Sequence, residues 1–489
     1  MKKIFVSALL LSGMFGCNSI LDKEPLTSIT ASNYYKTGDD AESAITGAYD
    51  AFQGDTYYGS TMNIIGEMPS DNCTSNNGDV VYLDRITWNA TSGIVGRIYQ
   101  MAFQGINRAN SILKYVPGIA MDKTRQEQIL GEAYFIRALN YFNLVKLYGG
   151  VPLRTEPVES GESPSLAAST AEQIYAQIEA DLTKAEEMAA TQQGGNNNDP
   201  RNRGRAIKTT VNALQARVYL TERKWAQAVE AANKVITSGK YGNTLTPNFN
   251  DLWPANNKTE SIFEIEYAGT EDGGFTLPDL TLPLPPATYS FPKYNIPTNE
   301  FVQYADTVKD NRFKYNGVVS GGKSYGSMVY GGAGTGNDNG WFVYKWRNTN
   351  FFNSSDNYPV LRLAEMYLIY AEAMNEQGGP SQDALDKLNA VCTRAGLTAL
   401  TLTDLATKQA FRDEVDRQRR LELAFEGERW FDLLRYAAHT KADPSAEHQV
   451  TALDIIKAVR GTEDEHYLLF PIPQYELNNN PSIKQNTGY

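Results

Sequence analysis

The stretch TTVNALQARVYLTERKWAQAVEAANKVITSGKYG, residues 209–242, decides the fold. It divides into two helical runs around a short charged turn. Ala216, Tyr219, Ala228 and Ala232 stand where a tetratricopeptide helical hairpin sets its small and aromatic contacts. Small side chains let two helix axes approach closely. A second hairpin is written in RLAEMYLIYAEAMNEQGGPSQDALDKLNAVCTRAG, residues 362–396, where Ala384, Leu388 and Val391 mark one face of the second helix. Such hairpins cannot bury their apolar faces alone, so they stack. The expectation is a mainly α fold. About four helical-hairpin units would form a right-handed, tetratricopeptide-like superhelix supporting an irregular, loop-rich half with a few short strands.

Outward from these hairpins the pattern continues. Ala41, Ala44, Ile45, Ala48 and Tyr49 line one face of a helix over about 39–53. Helices follow over about 94–115 and 171–189. GEAYFIRALNYFNLVKLYGG (131–150) is apolar almost all round, so it is buried on several sides. Its Glu132 and Arg137 must then be paired or at the rim. Residues 54–92 are rich in Gly, Asn, Asp and Ser and read as a long loop region, which marks a candidate binding surface. Residues 243–360 change character. ESIFEIEY (260–267) and GWFVYKWRN (340–348) read as strands, whereas the proline-rich 277–297 cannot be regular helix.

The chain has 489 residues and a net charge of −12, which argues against nucleic acid as a partner. It contains 29 tyrosines, whose flat apolar ring and polar tip suit wet binding surfaces as well as cores. The first residues, MKKIFVSALLLSGMFGC, have a basic start, a short apolar run and Gly16-Cys17. This is a signal peptide over 1–16. Its Gly-Cys end resembles a bacterial lipoprotein signal, with Cys17 as the lipidated residue, although Met14-Phe15 departs from the usual residues there. Residues 17–35 then read as an extended tether. Residues 36–489 read as one domain with halves of about 36–240 and 241–489. Cys73 and Cys392 are the other cysteines, and their pairing is open. His439, His448 and His466 form no metal-ligand spacing, so neither metal nor cofactor is expected.

Two short patterns suggest catalysis and fail on context. GVVSGGKSYG (317–326) matches both the phosphate-binding loop and the serine-hydrolase elbow. Each needs a buried strand before it and a helix after it. Here the flanks are polar before and glycine-rich after, so the stretch reads as a flexible surface loop. RRLELAFEGERWFDLLRY (419–436) concentrates Glu422, Glu426, Glu428 and Asp432. Glu426 with Arg429 and Asp432 with Arg435 stand three apart, the spacing for helical ion pairs. Carboxylates neutralised by arginine make poor general acids. The cluster therefore reads as structural, and no catalytic residue is expected.

LELAFEGERWFDLLR resembles the signature of the SusD/RagB family of Bacteroidetes outer-membrane lipoproteins. GEAYFIRALNYFNLVKLYGGVPL (131–153), RLAEMYLIYAEAMNE (362–376), FPIPQYELNNNPSIKQNTGY (470–489) and CNSILDKEPLTSIT (17–30) resemble the family's other blocks, in the same order. Glu428 stands where many members carry histidine. The resemblance implies a non-catalytic, lipid-anchored protein at the cell surface. It would sit as a lid on a SusC-like TonB-dependent transporter of the outer membrane and capture a glycan; the alternative within the family is peptide capture of the RagB type. It also implies that ligand is held by the loops before the long helices and by the irregular middle block. On that reading the candidates are Asp71, Asn72, Tyr82, Trp88, Tyr289, Tyr294 and Trp341. Trp253 and Trp346 fall in blocks that read as structural.

Overall fold

Apolar periodicity and end caps set the helices. The computed structural model describes residues 34–158, 165–196, 199–336 and 338–489. The signal peptide, Cys17 and nearly all of the tether lie outside them. Helix α1 (Gly38–Asp50) opens on a capping box: the Thr37 hydroxyl accepts from the Asp40 amide at 3.2 Å, and the Asp40 carboxylate accepts from the Thr37 amide at 2.7 Å. Then come α2 (Thr61–Glu67), α3 (Gly93–Tyr115), α4 (Lys123–Tyr148) and α5 (Ala171–Met188). The decisive hairpin is α6 (Lys208–Thr221) and α7 (Trp225–Ile236); the second is α8 (Leu363–Gly378) and α9 (Gln382–Arg394). After these come α10 (Lys408–Glu422), α11 (Arg429–Ala442) and α12 (Ala452–Arg460). No helix among the described residues is long and apolar enough to cross a membrane.

The helices stack in sequence: α3 on α4, α4 on α5, α6 on α7, α7 on α8, α8 on α9. This is the mainly α, tetratricopeptide-like architecture expected. Its close approaches rest on small residues. Ala216 on α6 and Ala228 and Ala232 on α7 are wholly buried. Gly131 on α4 lies so near the end of α5 that a methyl there would sit 2.6 Å from the Ala189 amide nitrogen. The two charges foreseen inside α4 are paired. Glu132 meets Arg125 at 2.8 Å, and Arg137 meets Asp181 at 2.6 Å. One contiguous buried cluster runs from Ala41 to Ile483.

The other half carries the strands. β1 (Cys73–Thr74) pairs antiparallel with β3 (Ile296–Pro297), and β2 (Ser261–Ile265) with β8 (Tyr358–Arg362). β4 (Tyr315–Val319), β5 (Gly322–Tyr325), β6 (Val329–Gly332) and β7 (Trp341–Val343) form a four-stranded antiparallel meander. The stretch 317–326 is thus not a loose loop but the β4–β5 hairpin. Val319 pairs with Gly322 across a tight turn in which Gly321 takes φ 81°. Gly322 serves packing, since a methyl there would lie 2.6 Å from the Tyr330 ring. Residues 54–92 also depart from a long loop. Met62, Ile64, Ile65 and Met68 bury α2, and Tyr57 and Tyr58 join the core. Cys73 and Cys392 are separate buried thiols.

The 419–436 stretch is two helices, not one. Between α10 and α11 the chain turns, with Phe425 at φ 67° and Gly427 at φ 84°. The turn seats against α2: a methyl at Gly66 would overlap the Gly427 backbone, and one at Gly427 would meet the Tyr358 hydroxyl at 2.8 Å. The turn also re-pairs the charges. Asp432–Arg435 forms at 2.9 Å as expected, but Glu426 binds Arg362 at 2.7 Å and Lys345 at 2.5 Å. Arg429 instead reaches Asp71 and Asp416, both at 2.7 Å. Gly427→Ala is expected to lower stability by about 1–3 kcal/mol, because it adds left-handed strain to a backbone with no room for Cβ. Chemical unfolding of the variant checks this; an unchanged midpoint would refute it.

Candidate functional site

The irregular half presents a terrace of rings at its surface. Tyr289 is 47% exposed and Phe351 61%. Tyr289 stacks on Phe352 with centroids 5.4 Å apart and planes 11° apart, and Phe352 lies 6.2 Å from Phe291 at 28°. Phe291 meets Tyr294 edge-on at 6.5 Å, and Phe351 meets Tyr289 edge-on at 6.2 Å. Five rings from two segments, 289–294 and 351–352, therefore form one continuous apolar surface. Exposed apolar surface of this kind in a soluble face marks a binding site more often than it marks core.

Buried polar groups fix the terrace from beneath. Asp279 is fully buried. Its carboxylate accepts from the Thr288 amide at 3.1 Å and from the Asn350 and Phe352 amides at 3.0 Å each. One side chain thus ties the two ring-bearing segments together. Lys293, also fully buried, donates from Nζ to the Asp279 and Tyr289 carbonyls at 2.9 Å each, and that Nζ sits 3.7 Å from the Phe291 ring centre. Burial pushes the Lys293 amine down to about 8, with Asp279 and Asp338 opposing the shift. Phe351 and Phe352 take φ 51° and 63°, a region bulky residues rarely adopt. The Asn353 side chain helps to hold it, donating to the Phe351 carbonyl at 2.7 Å. Strain retained at an exposed site by surrounding hydrogen bonds is the pattern of a pre-organised binding surface.

The rim is polar and acidic. Asp79 accepts from the Tyr294 hydroxyl at 3.2 Å. Asn77 donates to the Pro292 carbonyl at 2.7 Å and Ser75 to that of Lys293 at 2.7 Å, so the 75–82 segment is docked on the terrace's flank. Asp338 accepts from the Lys293 amide at 3.3 Å. Beside it, the β4–β7 sheet carries a second row of rings: Tyr315, Tyr325 and Trp341 follow one another edge-on at 5.8 and 5.5 Å.

Of the sequence-derived candidates, the fold brings Tyr289 and Tyr294 into the terrace and sets Trp341 in the neighbouring row. Tyr82 is half-buried on the flanking segment, where its hydroxyl accepts from the Ile94 amide at 3.3 Å. The other three lie elsewhere. Trp88 is 2% exposed, 4.6 Å from Phe470, and donates to the Tyr489 hydroxyl at 2.7 Å; it anchors the C-terminus. Asn72 is fully buried and accepts from Arg420 at 3.0 Å. Asp71 is closed by Arg429 and Arg420, which hold its carboxyl low against the opposing effect of burial. Asn72 and Trp88 offer no surface to a ligand, and Asp71 has spent its oxygens on arginines. Trp253 and Trp346 are core residues, edge-on at 5.3 Å. Sequence reasoning missed Phe291, Phe351, Phe352, Asp279 and Lys293. A signal existed in TNFFNSS (349–355), where two adjacent phenylalanines interrupt a polar loop.

The carboxylates of the 419–436 stretch are poorly suited to proton transfer. Arg394, Arg362 and Arg312 overcome the cost of burial and hold Glu422 down to about 2. Arg419 and Arg435 likewise hold Asp432 well below the carboxylate range.

Comparison with known proteins places this architecture. A family model described as the SusD family matches residues 183–489. A second, described as starch-binding associating with outer membrane, matches residues 21–220. The chain is 25% identical to SusD-like protein P2 of Formosa agariphila, covering 100% of both chains. It is 25% identical to the starch-binding protein SusD of Bacteroides thetaiotaomicron, over 100% of this chain and 99% of the relative. Among solved structures, a laminarin-binding SusD-like protein superposes with a TM-score of 0.73 at 26% identity, covering 93% of this chain and 100% of the other.

Proposed function

The chain belongs to the SusD family, and from that premise we propose that it binds a glycan without chemistry and hands it to a SusC-like TonB-dependent transporter. Cys17 would carry the lipid that tethers it, surface-exposed, to the outer membrane. The ligand would lie on the terrace of Tyr289, Phe291, Tyr294, Phe351 and Phe352, with Trp341 and Tyr82 at its margins. The observation that carries this reading is the terrace itself: stacked, exposed rings pinned by the buried Asp279 and Lys293. Sugar rings present flat C–H faces to aromatic planes and hydroxyls to a polar rim, as a preformed site of this composition requires. The names of a starch-binding relative and a laminarin-binding structural neighbour point to the same ligand class. The ion-paired state of Glu422 and Asp432 supports binding without turnover.

Calorimetric titration with maltooligosaccharides, laminarin oligosaccharides and a peptide panel tests the proposal. Glycan binding is expected, weakened about tenfold, or ~1.4 kcal/mol, in Tyr289→Ala. Heat with peptides alone would overturn the ligand class. Shortening of an oligosaccharide during incubation would overturn the non-catalytic reading.

A further inference from the structure

A groove of about 590 Å³ lies on the helical half, between α3, the segment before residue 158 and the short helix Gln474–Asn479. It shares no residue with the terrace. Its wall is aromatic: Tyr99 packs 4.8 Å from Phe103 and 6.5 Å, edge-on, from Tyr475. Tyr475 is 40% exposed and its hydroxyl donates to the Gly96 carbonyl at 3.1 Å, which fixes the ring at the groove's edge. Exposed carboxamides, Gln100 and Gln104, stand one turn apart on α3 and line the same groove. The volume falls within the range of small-molecule pockets.

Two observations say what it would take. The Tyr99 hydroxyl is buried and has no hydrogen-bond partner. Its surroundings are groove residues, Tyr475 and Glu476 among them, and burial there pushes its pKa well up. A buried hydroxyl without a partner costs free energy that an incoming hydroxyl recovers. The groove's three charged residues, by contrast, are engaged: Glu476 accepts from Asn480 at 3.3 Å, Arg108 meets Asp50 at 3.2 Å, and Arg154 is likewise not free. An occupant therefore needs an apolar face for Phe103 and Tyr475, hydroxyls for Tyr99 and the carboxamides, and no charge. We propose that this groove is a second saccharide site, taking the end of a neutral oligosaccharide. It would give the protein two points of attachment on one polymer, and linked weak sites raise avidity without new contacts at either. The premise that glycans are its ligands is shared with the terrace reading; the site is not.

The test uses the full mature chain in which Tyr289→Ala and Phe352→Ala disable the terrace. Maltotriose and laminaritriose are the probes, read by titration and by amide hydrogen exchange over residues 96–108. Residual binding with protection of 96–108 is expected. Adding Tyr475→Ala should weaken it about tenfold or more, equivalent to ~1.4 kcal/mol. Tyr99→Phe should weaken it several-fold without lowering the melting temperature, because that hydroxyl has no partner to lose. Absence of protection at 96–108 with every probe, or residual binding indifferent to Tyr475→Ala, overturns the proposal. Preference for a uronate-ended probe over the neutral ones overturns the ligand class. Protection at 96–108 that depends on Tyr475 supports the groove even where terrace variants bind as wild type, so the two readings fail separately.

Discussion

Glu422→Ala should unfold this protein more readily than any surface change, with a loss of about 3–5 kcal/mol. Glu422 is fully buried among three guanidinium groups: Arg394 at 2.5 Å, Arg312 at 3.2 Å and Arg362 at 3.3 Å. The network closes through Asp310 with Arg312 at 2.7 Å, and through Glu260 with Arg394 at 3.2 Å. Removing this carboxylate takes one counter-charge from all three buried guanidinium groups at once, which costs far more than the intact network contributes. Urea unfolding measures the effect. A loss below about 1 kcal/mol, the range of exposed ion pairs, would show that water reaches the network.

The same network gives a pH dependence with a definite sign. The folded-state pKa of Glu422 is about 2, below its unfolded value of 4.5. Its contribution is therefore complete above pH 4.5 and is lost as pH falls from there towards 2. Asp432 acts in the same direction. Glu67 acts in the other. Burial raises it to about 7, although the Gly427 amide donates to it at 2.9 Å. Its contribution is complete below pH 4.5 and is lost as pH rises to 7 and beyond. Glu67→Gln should flatten that neutral-side decline while leaving the acid-side loss intact. Unfolding midpoints across pH 3–8 check both arms.

Asp279→Ala should abolish most glycan binding while the helical half stays folded. Three amides lose their acceptor at once, and two of them, on Asn350 and Phe352, set the backbone that presents Phe351 and Phe352. Without it the left-handed φ values of those residues have less to hold them. A fall in affinity of about a hundredfold is expected, equivalent to ~2.7 kcal/mol. This exceeds the loss from any single ring, because the whole terrace loses register. The far-ultraviolet circular dichroism should be unchanged. Retained affinity in this variant would show that the rings hold their places by packing alone.

The helical half was legible because its information is local. In α7 the alanines at 228 and 232 recur on one face, and in α4 the apolar residues go all round, so helix type and burial follow from short-range periodicity. For Glu132 and Arg137 a partner or a place at the rim was foreseen, although the partners Arg125 and Asp181 were not. The terrace was half legible. Tyr289 and Tyr294 were found because the resemblance to the SusD/RagB family points to the irregular middle block as the ligand surface. Phe351 and Phe352 were not, since nothing near residue 350 reveals that it meets residue 279 and residue 288. Trp88 and Asn72 misled for the opposite reason. A loop-like composition concealed contacts to Phe470, Tyr489 and Arg420, hundreds of positions away.

By itself, then, the sequence determined the helical scaffold and the charges that had to be neutralised within it. Periodic burial and the cost of isolated charge are properties of a short segment wherever it is placed. The tertiary structure alone decided which rings face outward, how the 419–436 charges pair across the Phe425–Gly427 turn, and that a buried aspartate holds the terrace. These depend on which distant segments meet, and a glycine or aspartate carries no local mark of the neighbour it will touch.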